Sequence, residues 1–326
     1  MIRAALPTAA LLVGLAGCAA SPPLARGIPL ELSRALELRD TPFFPQEDYQ
    51  CGPAALATVL QASGIAVEPT ALAPQVYLPK RRGSLQAELI GATRRHGRLA
   101  YQLPGTGQAL LAELSEGRPV LLLQNLRVKA LPVWHYAVLV GYDADRNVAV
   151  LRSGRHKRLE MRWQSFARSW DRAGRWAISA LAPGVIPVGA EASRYLEAAA
   201  GVEAAGDRRA AALAYDAAIA RWPEEPVAWL GRGNVAYGDR DLAAAADAYA
   251  RAATLAPDNA AVRNNLAQVL AEAGCRMESR RQLERAAALD AGSALAPVIE
   301  ATRGEIEAAA RPGGTQCVLA DRHWPD

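Results

Sequence analysis

The stretch FPQEDYQCGPAAL, residues 44–56, places a cysteine where a helix is predicted to begin. Pro53 suits the first helical turn, because the N–H that proline lacks would have no helical partner there, and Gly64 is expected to end the helix. A thiol at a helix N-terminus faces unpaired backbone N–H groups and the positive end of the helix dipole, and both favour the thiolate. Cys51 is therefore predicted to be an activated nucleophile that iodoacetamide labels faster than a free thiol. The alternative is a small buried cysteine at the start of a helix.

Composition allows two domains with a sizeable core, since the chain has 326 residues of which 51% are hydrophobic. The net charge is +4, and basic residues gather only in short runs such as 80–82 and 155–158. No aromatic residues interleave with these runs, so they indicate solvated faces rather than a nucleic-acid site, with anionic lipid or envelope polymer as the weaker option. No Cys-x-x-Cys or His-Glu-x-x-His pattern occurs, and neither a metal nor a cofactor is predicted.

The first residues bear on the compartment. A positive start is followed by an apolar stretch over 4–15 that is too short to span a bilayer comfortably, and residues 15–18 read LAGC. This ending resembles a bacterial lipobox. The resemblance implies a signal peptide over 1–17, lipid on Cys18, a tether over 18–40, and a place in the cell envelope, on the outer membrane facing the periplasm in a Gram-negative cell. The alternative is an ordinary secretory signal with a chance cysteine.

The segment 41–182 is predicted to be an α+β domain, because helices come first and an antiparallel sheet second. The prolines at 69, 74 and 79 are expected in a loop. The predicted helices cover 51–63, 84–95 and 107–116, and the predicted strands cover 119–124, 134–142, 147–151, 158–163 and 176–181.

The second half repeats itself after a Pro- and Gly-rich linker at 183–191. Tyr215, Tyr249 and Leu283 recur at a step of 34 residues. The segment 192–310 resembles three tetratricopeptide repeats with a capping helix, followed by a tail over 311–326. That resemblance implies an all-α domain that binds a protein partner. A plain helical bundle is the alternative.

Two cysteines remain for the second half, Cys275 and Cys317. In an oxidising compartment a disulfide between them is permitted, and it would pin the tail to the last helices. Two unpaired thiols are the alternative.

A cysteine nucleophile needs a base, and His135 is the candidate, because it opens the apolar strand WHYAVLVGYD, residues 134–143. The other histidines, at 96, 156 and 323, lie in basic segments or in the tail. By the two-residue period of a strand, His135 shares a face with Ala137 and Leu139, and this face is expected to pack under the Cys51 helix. The alternative is a core histidine bonded to a backbone carbonyl.

An amide side chain near the thiol can hold the oxyanion of a tetrahedral intermediate, together with the Cys51 backbone N–H. Gln46 is the preferred donor. Gln50 competes for this role, but its adjacency to Cys51 makes a turn toward the same site harder.

Three motifs now carry a family resemblance: Gln-x-x-x-x-Cys-Gly-Pro-Ala from Gln46, GSLQ at 83–86, and HYAVLVGYD from His135. They resemble the papain-like peptidases of cysteine peptidase family thirty-nine, best known for cutting double-glycine leaders from bacteriocin precursors. The resemblance covers residues 41–182. It implies a papain-like fold, with Cys51 as nucleophile, His135 as general base and Gln46 as oxyanion donor. With the lipobox and the repeats, the whole chain resembles bacterial lipoprotein cysteine peptidases.

One family residue is missing. The family carries an Asp or Asn at the end of the strand after the histidine strand, but residues 148–154 read VAVLRSG. Asp143 cannot substitute, since eight residues of extended strand place it about 26 Å from His135. Ser153, or a backbone carbonyl, is therefore expected to accept the Nδ1–H of His135.

The expected function is that of a lipid-anchored extracytoplasmic cysteine peptidase, with the repeats recruiting a protein partner or substrate. The alternative is a peptidase-like binding module of weak or no activity that serves as an envelope scaffold. A third possibility gives the whole function to the repeats, as an assembly adaptor.

Overall fold

The computed structural model describes residues 33–46, 50–290, 295–308 and 317–325. The predicted signal peptide and Cys18 lie outside the described residues. The first half contains nine strands, five α-helices and one short 3-10 helix (Pro79–Arg81) within these ranges. The strands are β1 (Ala35–Glu37), β2 (Tyr77–Leu78), β3 (Gly83–Ser84), β4 (Leu99–Gln102), β5 (Val120–Asn125), β6 (Trp134–Asp143), β7 (Val148–Ser153), β8 (His156–Arg162) and β9 (Ala177–Leu181). The helices are α1 (Cys51–Ala62), α2 (Pro69–Val76), α3 (Gln86–Arg95), α4 (Gly107–Ser115) and α5 (Trp163–Asp171).

Seven of these strands form one antiparallel sheet in the order β4-β9-β5-β6-β7-β8, with β1 paired to the far end of β6. The remaining two, β2 and β3, form a separate hairpin. The predicted α+β class is confirmed. All five predicted strands are present, with bounds shifted by a few residues.

Helix α1 packs against the sheet through the Tyr136, Val138 and Val140 face of β6. The predicted face was wrong, because Ala137 and Leu139 point to the opposite side, where α4, α5 and α6 cover the sheet. Both faces of β6 are buried, so the apolar pattern of this strand does not distinguish them.

Several elements differ from the sequence predictions, among them the β2–β3 hairpin, which was not predicted. The predicted proline loop contains α2, which Pro69 can begin because it occupies the first helical position. The predicted tether contributes β1, which approaches β6 closely at Gly141: a Cβ there would lie 2.5 Å from the Leu36 carbonyl oxygen. The short strand β4 and helix α5 were not predicted, and α5 buries the Trp163, Phe166, Ser169 and Trp170 side of the helix.

The second half is helical throughout its regular elements. These helices are α6 (Ala192–Ala204), α7 (Arg208–Arg221), α8 (Pro226–Gly238), α9 (Leu242–Leu255), α10 (Ala260–Glu272), α11 (Arg276–Leu289) and α12 (Ala296–Ala308). Helices α7, α9 and α11 begin at residues 208, 242 and 276, a constant step of 34 residues. The predicted period is therefore also the period of the helices.

Where these helices pack together, tyrosine rings lie directly against glycines of a neighbouring helix. A Cβ on Gly231 would lie 2.2 Å from the Tyr215 ring, and one on Gly233 would lie 2.5 Å from the Tyr249 ring. Cys275 precedes α11 and forms a disulfide with Cys317, which joins the tail to this half. No helix in the described part of the chain is long and apolar enough to cross a membrane.

The two halves share one hydrophobic core. Tyr195 and Leu196 of α6 belong to the same buried cluster as Leu99 and Tyr101 of β4. The linker at 183–191 is therefore a short connection between packed halves, and the helices are held against the sheet.

Candidate active site

Cys51, His135 and Gln46 line one cleft with a volume of about 860 Å³. The cleft lies between the start of α1, the start of β6, the β2–β3 hairpin and the turn between β7 and β8. His135 thus faces the same space as Gln46 and Cys51, although more than eighty residues separate it from them. Ser153 joins them through His135, as described below.

Cys51 is the first residue of α1 and is half-buried. Burial raises the pKa of its thiol above the ordinary value, because the thiolate loses solvation. Hydrogen bonds from the backbone N–H groups of Tyr136, Gly52 and Cys51 itself act in the opposite direction but are outweighed. The predicted lowering of the Cys51 pKa is wrong, since the position at the helix start does not offset the loss of water.

Alkylation tests this raised pKa. Iodoacetamide reacts with the thiolate, so at about pH 7 native Cys51 is expected to react more slowly than Cys51 in the unfolded chain. The native rate should keep rising with pH beyond 9.0, the ordinary cysteine value. Mass spectrometry of the proteolytic fragment containing Cys51 measures both rates. Faster labelling of the native protein at pH 7 would show that the thiol is activated instead.

His135 is held by Ser153, whose Oγ lies 2.8 Å from Nε2 of the imidazole. The partner is one of the two expected acceptors, but the ring nitrogen differs from the predicted Nδ1. The β7–β8 register shifts between Leu151 and Ser153, just before Gly154 turns the chain at φ +60°.

The protonation of His135 is also set by burial, which lowers the pKa of the imidazole. At neutral pH the site therefore holds a neutral imidazole and a neutral thiol. If Nε2–H donates to Ser153, Nδ1 carries the lone pair that can take a proton.

Gln46 is fixed by two hydrogen bonds to Gly154. The side-chain Oε1 of Gln46 accepts the Gly154 N–H at 3.2 Å, and the backbone N–H of Gln46 donates to the Gly154 carbonyl at 3.0 Å. The first bond uses the side-chain oxygen of Gln46 as an acceptor, so the side-chain NH₂ group remains as a donor for a bound group. The competitor Gln50 is exposed and contributes no side-chain cap to α1.

The GSLQ segment forms the opposite wall of the cleft through Gly83, Ser84 and Leu85. A Cβ on Gly52 would lie 2.2 Å from Ser84 Oγ, so only glycine lets the start of α1 approach this wall. Tyr136 closes the contact, because its hydroxyl donates to the Ser84 carbonyl at 3.2 Å. The sequence showed this motif only through the family resemblance.

Arg152 was not predicted as a structural residue, yet its side chain is buried with 3% of the residue exposed. Its guanidinium donates to backbone carbonyls on both sides, at Arg39 (3.0 Å) and Lys157 (2.6 Å). The segment that it holds leads directly to Gln46. A lone arginine in a strand gives no sequence signal for this role.

Asp143, predicted to be remote from His135, is remote, and Asp145 is remote as well. Asp143 accepts the Arg146 N–H and Asp145 pairs with Arg34, both at the end of β6 opposite His135. Ser153 thus occupies the position beside His135 that the family resemblance assigns to an acid.

Residues 38–178 match the family model described as the Peptidase_C39 like family. The match covers the sheet-rich domain that carries Cys51, His135 and Gln46, and it ends before the helices of the second half. This domain is similar to the C39-like family, as the sequence motifs predicted.

Among solved structures, the chain is similar to a candidate C39-like peptidase from Bacillus anthracis. The identity is 18%, the TM-score is 0.39, and the match covers 45% of this chain and 97% of that chain. A comparison with curated proteins finds no match.

Proposed function

We propose that this protein is a lipid-anchored, extracytoplasmic cysteine peptidase. The observation that carries the proposal is that Cys51, His135 and Gln46 line a single cleft in a C39-like domain. A thiol, an imidazole and an amide donor are the groups that acyl transfer needs.

The proposed reaction starts from the neutral pair. As Cys51 Sγ attacks the carbonyl carbon of the peptide bond, the thiol proton passes to Nδ1 of His135, and Ser153 keeps the ring in place through Nε2. The Gln46 amide and the Cys51 backbone N–H donate to the oxyanion. His135 then returns the proton to the leaving amine, which breaks the C–N bond and leaves a thioester on Cys51. Water, deprotonated by His135, releases the acid product and the thiol.

The location and the partner belong to the proposal as well. Lipidation at Cys18 is supported by the lipobox pattern, and an oxidising compartment is supported by the Cys275–Cys317 disulfide. The helices that recur every 34 residues support a tetratricopeptide assignment. Such repeats bind protein segments, so we assign them the recruitment of a substrate or partner to the adjoining peptidase domain.

A second candidate is a peptidase-like binding module with weak or no activity. Two observations favour it: the Cys51 thiol has a raised pKa, and a hydroxyl rather than a carboxylate bonds to His135. An uncharged partner stabilises an imidazolium less well than a carboxylate does. This candidate therefore ranges from a slow enzyme to a binding module with no activity.

Peptide cleavage by histidine variants separates the two candidates. His135→Ala is expected to lower kcat/KM about a thousandfold, because the proton of the neutral thiol then lacks an acceptor. His323→Ala is the matched control, since His323 is exposed in the tail, and it should retain full activity. New peptide termini, identified by mass spectrometry, are the readout. Equal rates for both variants would remove His135 from the mechanism.

A further inference from the structure

An exposed apolar surface lies beside the cleft, on the connection between β5 and β6. Leu131 is 69% exposed, Val128 61% and Trp134 54%, and Leu126 and Val133 are exposed as well. We call these five residues the apolar ledge. Clustered apolar side chains of this kind are typical of a surface that a partner covers.

The ledge has a fixed backbone. Asn125 is buried, with 1% of the residue exposed, and its Oδ1 accepts the N–H groups of Arg127 at 3.0 Å and Val133 at 3.1 Å. Arg172 secures Asn125 in turn by donating to its carbonyl at 2.8 Å. The apolar side chains are therefore presented to water by an ordered loop, and their binding surface exists before a partner arrives.

The ledge is continuous with the cleft. Val133 and Trp134 belong to both, and they line the cleft together with Cys51 and His135. Leu131 precedes His135 by four residues, so the two Cα atoms lie at most about 14 Å apart. A peptide bound across the cleft would need about four residues to reach it.

We infer that the apolar ledge binds large apolar side chains of an extended protein substrate, about three to five residues from the cleaved bond. The inference rests on the proposed peptidase function and names its substrate class. Continuity with the cleft is the argument for this occupant.

A lipid bilayer is the competing occupant, because Arg127 and Lys129 flank the exposed side chains. The topology gives this occupant no support. The first described strand, β1, pairs with β6 at Gly141–Asp143, the end opposite Trp134. The chain leading back to the predicted lipid on Cys18 thus leaves the sheet at the end remote from the ledge.

Peptide binding tests the inference in the Cys51→Ala background, where no turnover interferes. The probes are a fluorescein-labelled Gly/Ser peptide with two leucines and the same peptide with serines in their place. Fluorescence anisotropy should show at least tenfold tighter binding of the leucine peptide. Adding Val128→Ser and Leu131→Ser should remove this preference. The matched control adds Val188→Ser and Met277→Ser, which change exposed apolar residues elsewhere and should keep it. Melting temperatures establish that each variant is folded.

Two further readouts separate the outcomes. Vesicles of phosphatidylcholine and phosphatidylglycerol test the lipid bilayer as the occupant. Binding to vesicles that depends on the ledge, without a preference between the two peptides, would overturn the inference. Cleavage of the leucine peptide by the wild-type protein tests the proposed function separately. Ledge-dependent binding without cleavage supports the ledge and contradicts the peptidase; cleavage with no leucine preference contradicts the ledge alone.

Discussion

Replacing Cys51 with alanine is expected to abolish peptide hydrolysis, with a loss in kcat of at least about ten-thousandfold. The reason is that each chemical step forms or breaks a bond to the Cys51 sulfur, and Cys51 is the only free cysteine in the described part of the chain. The measurement is steady-state cleavage of any peptide that the wild-type protein cuts.

The fold should survive this substitution. Alanine is smaller than cysteine and favours the helix that begins at this position, so the melting temperature should stay close to that of the wild type. Undiminished cleavage by the folded Cys51→Ala variant would assign the activity to another group or another protein.

Replacing Arg152 with methionine is expected to lower the free energy of unfolding by about 3 kcal/mol. The substitution keeps an apolar stem of similar length but removes every donor, so the carbonyls of Arg39 and Lys157 lose the guanidinium that bonds to them. The carbonyl of the buried Thr41 also loses its bond from Arg152 Nε, at 3.4 Å, and a buried group left without a partner carries the cost of its lost hydration. Urea unfolding followed by tryptophan fluorescence measures the change.

The matched control is Arg158→Met on the neighbouring strand. Arg158 is about half-exposed and pairs with Glu37 and Glu160 at the surface. Exposed ion pairs contribute little to stability, so this variant should unfold close to the wild type. Equal destabilisation by the two substitutions would show that the buried bonds of Arg152 are not what holds the segment before Gln46.

The elements that carry the site were predictable because they depend on local sequence. Pro53 and Gly64 mark the two ends of the Cys51 helix, and the apolar run after His135 marks a strand. The 34-residue step of the second half follows from recurring tyrosines and small residues. These patterns need no knowledge of what the elements pack against.

The properties that were wrong or missed depend on neighbours distant in sequence. The face of β6 under α1 is ambiguous because helices cover both sides of the sheet. The pKa of Cys51 follows from burial within the fold, which outweighs the backbone hydrogen bonds to the thiol. Likewise, the residues of β1 were assigned to a tether, because the strand that they pair with is more than a hundred residues away.

The most direct test of the account is the mass of the protein during turnover. Acid quenching of the wild-type protein during turnover of a peptide that it cleaves should trap a thioester on the fragment that contains Cys51, with the added mass of the N-terminal product minus one water. His135→Ala should show little adduct, because attack by the neutral thiol is slowed. Sustained cleavage with no adduct on Cys51, and with full activity in Cys51→Ala, would contradict the central claim that Cys51 is the nucleophile.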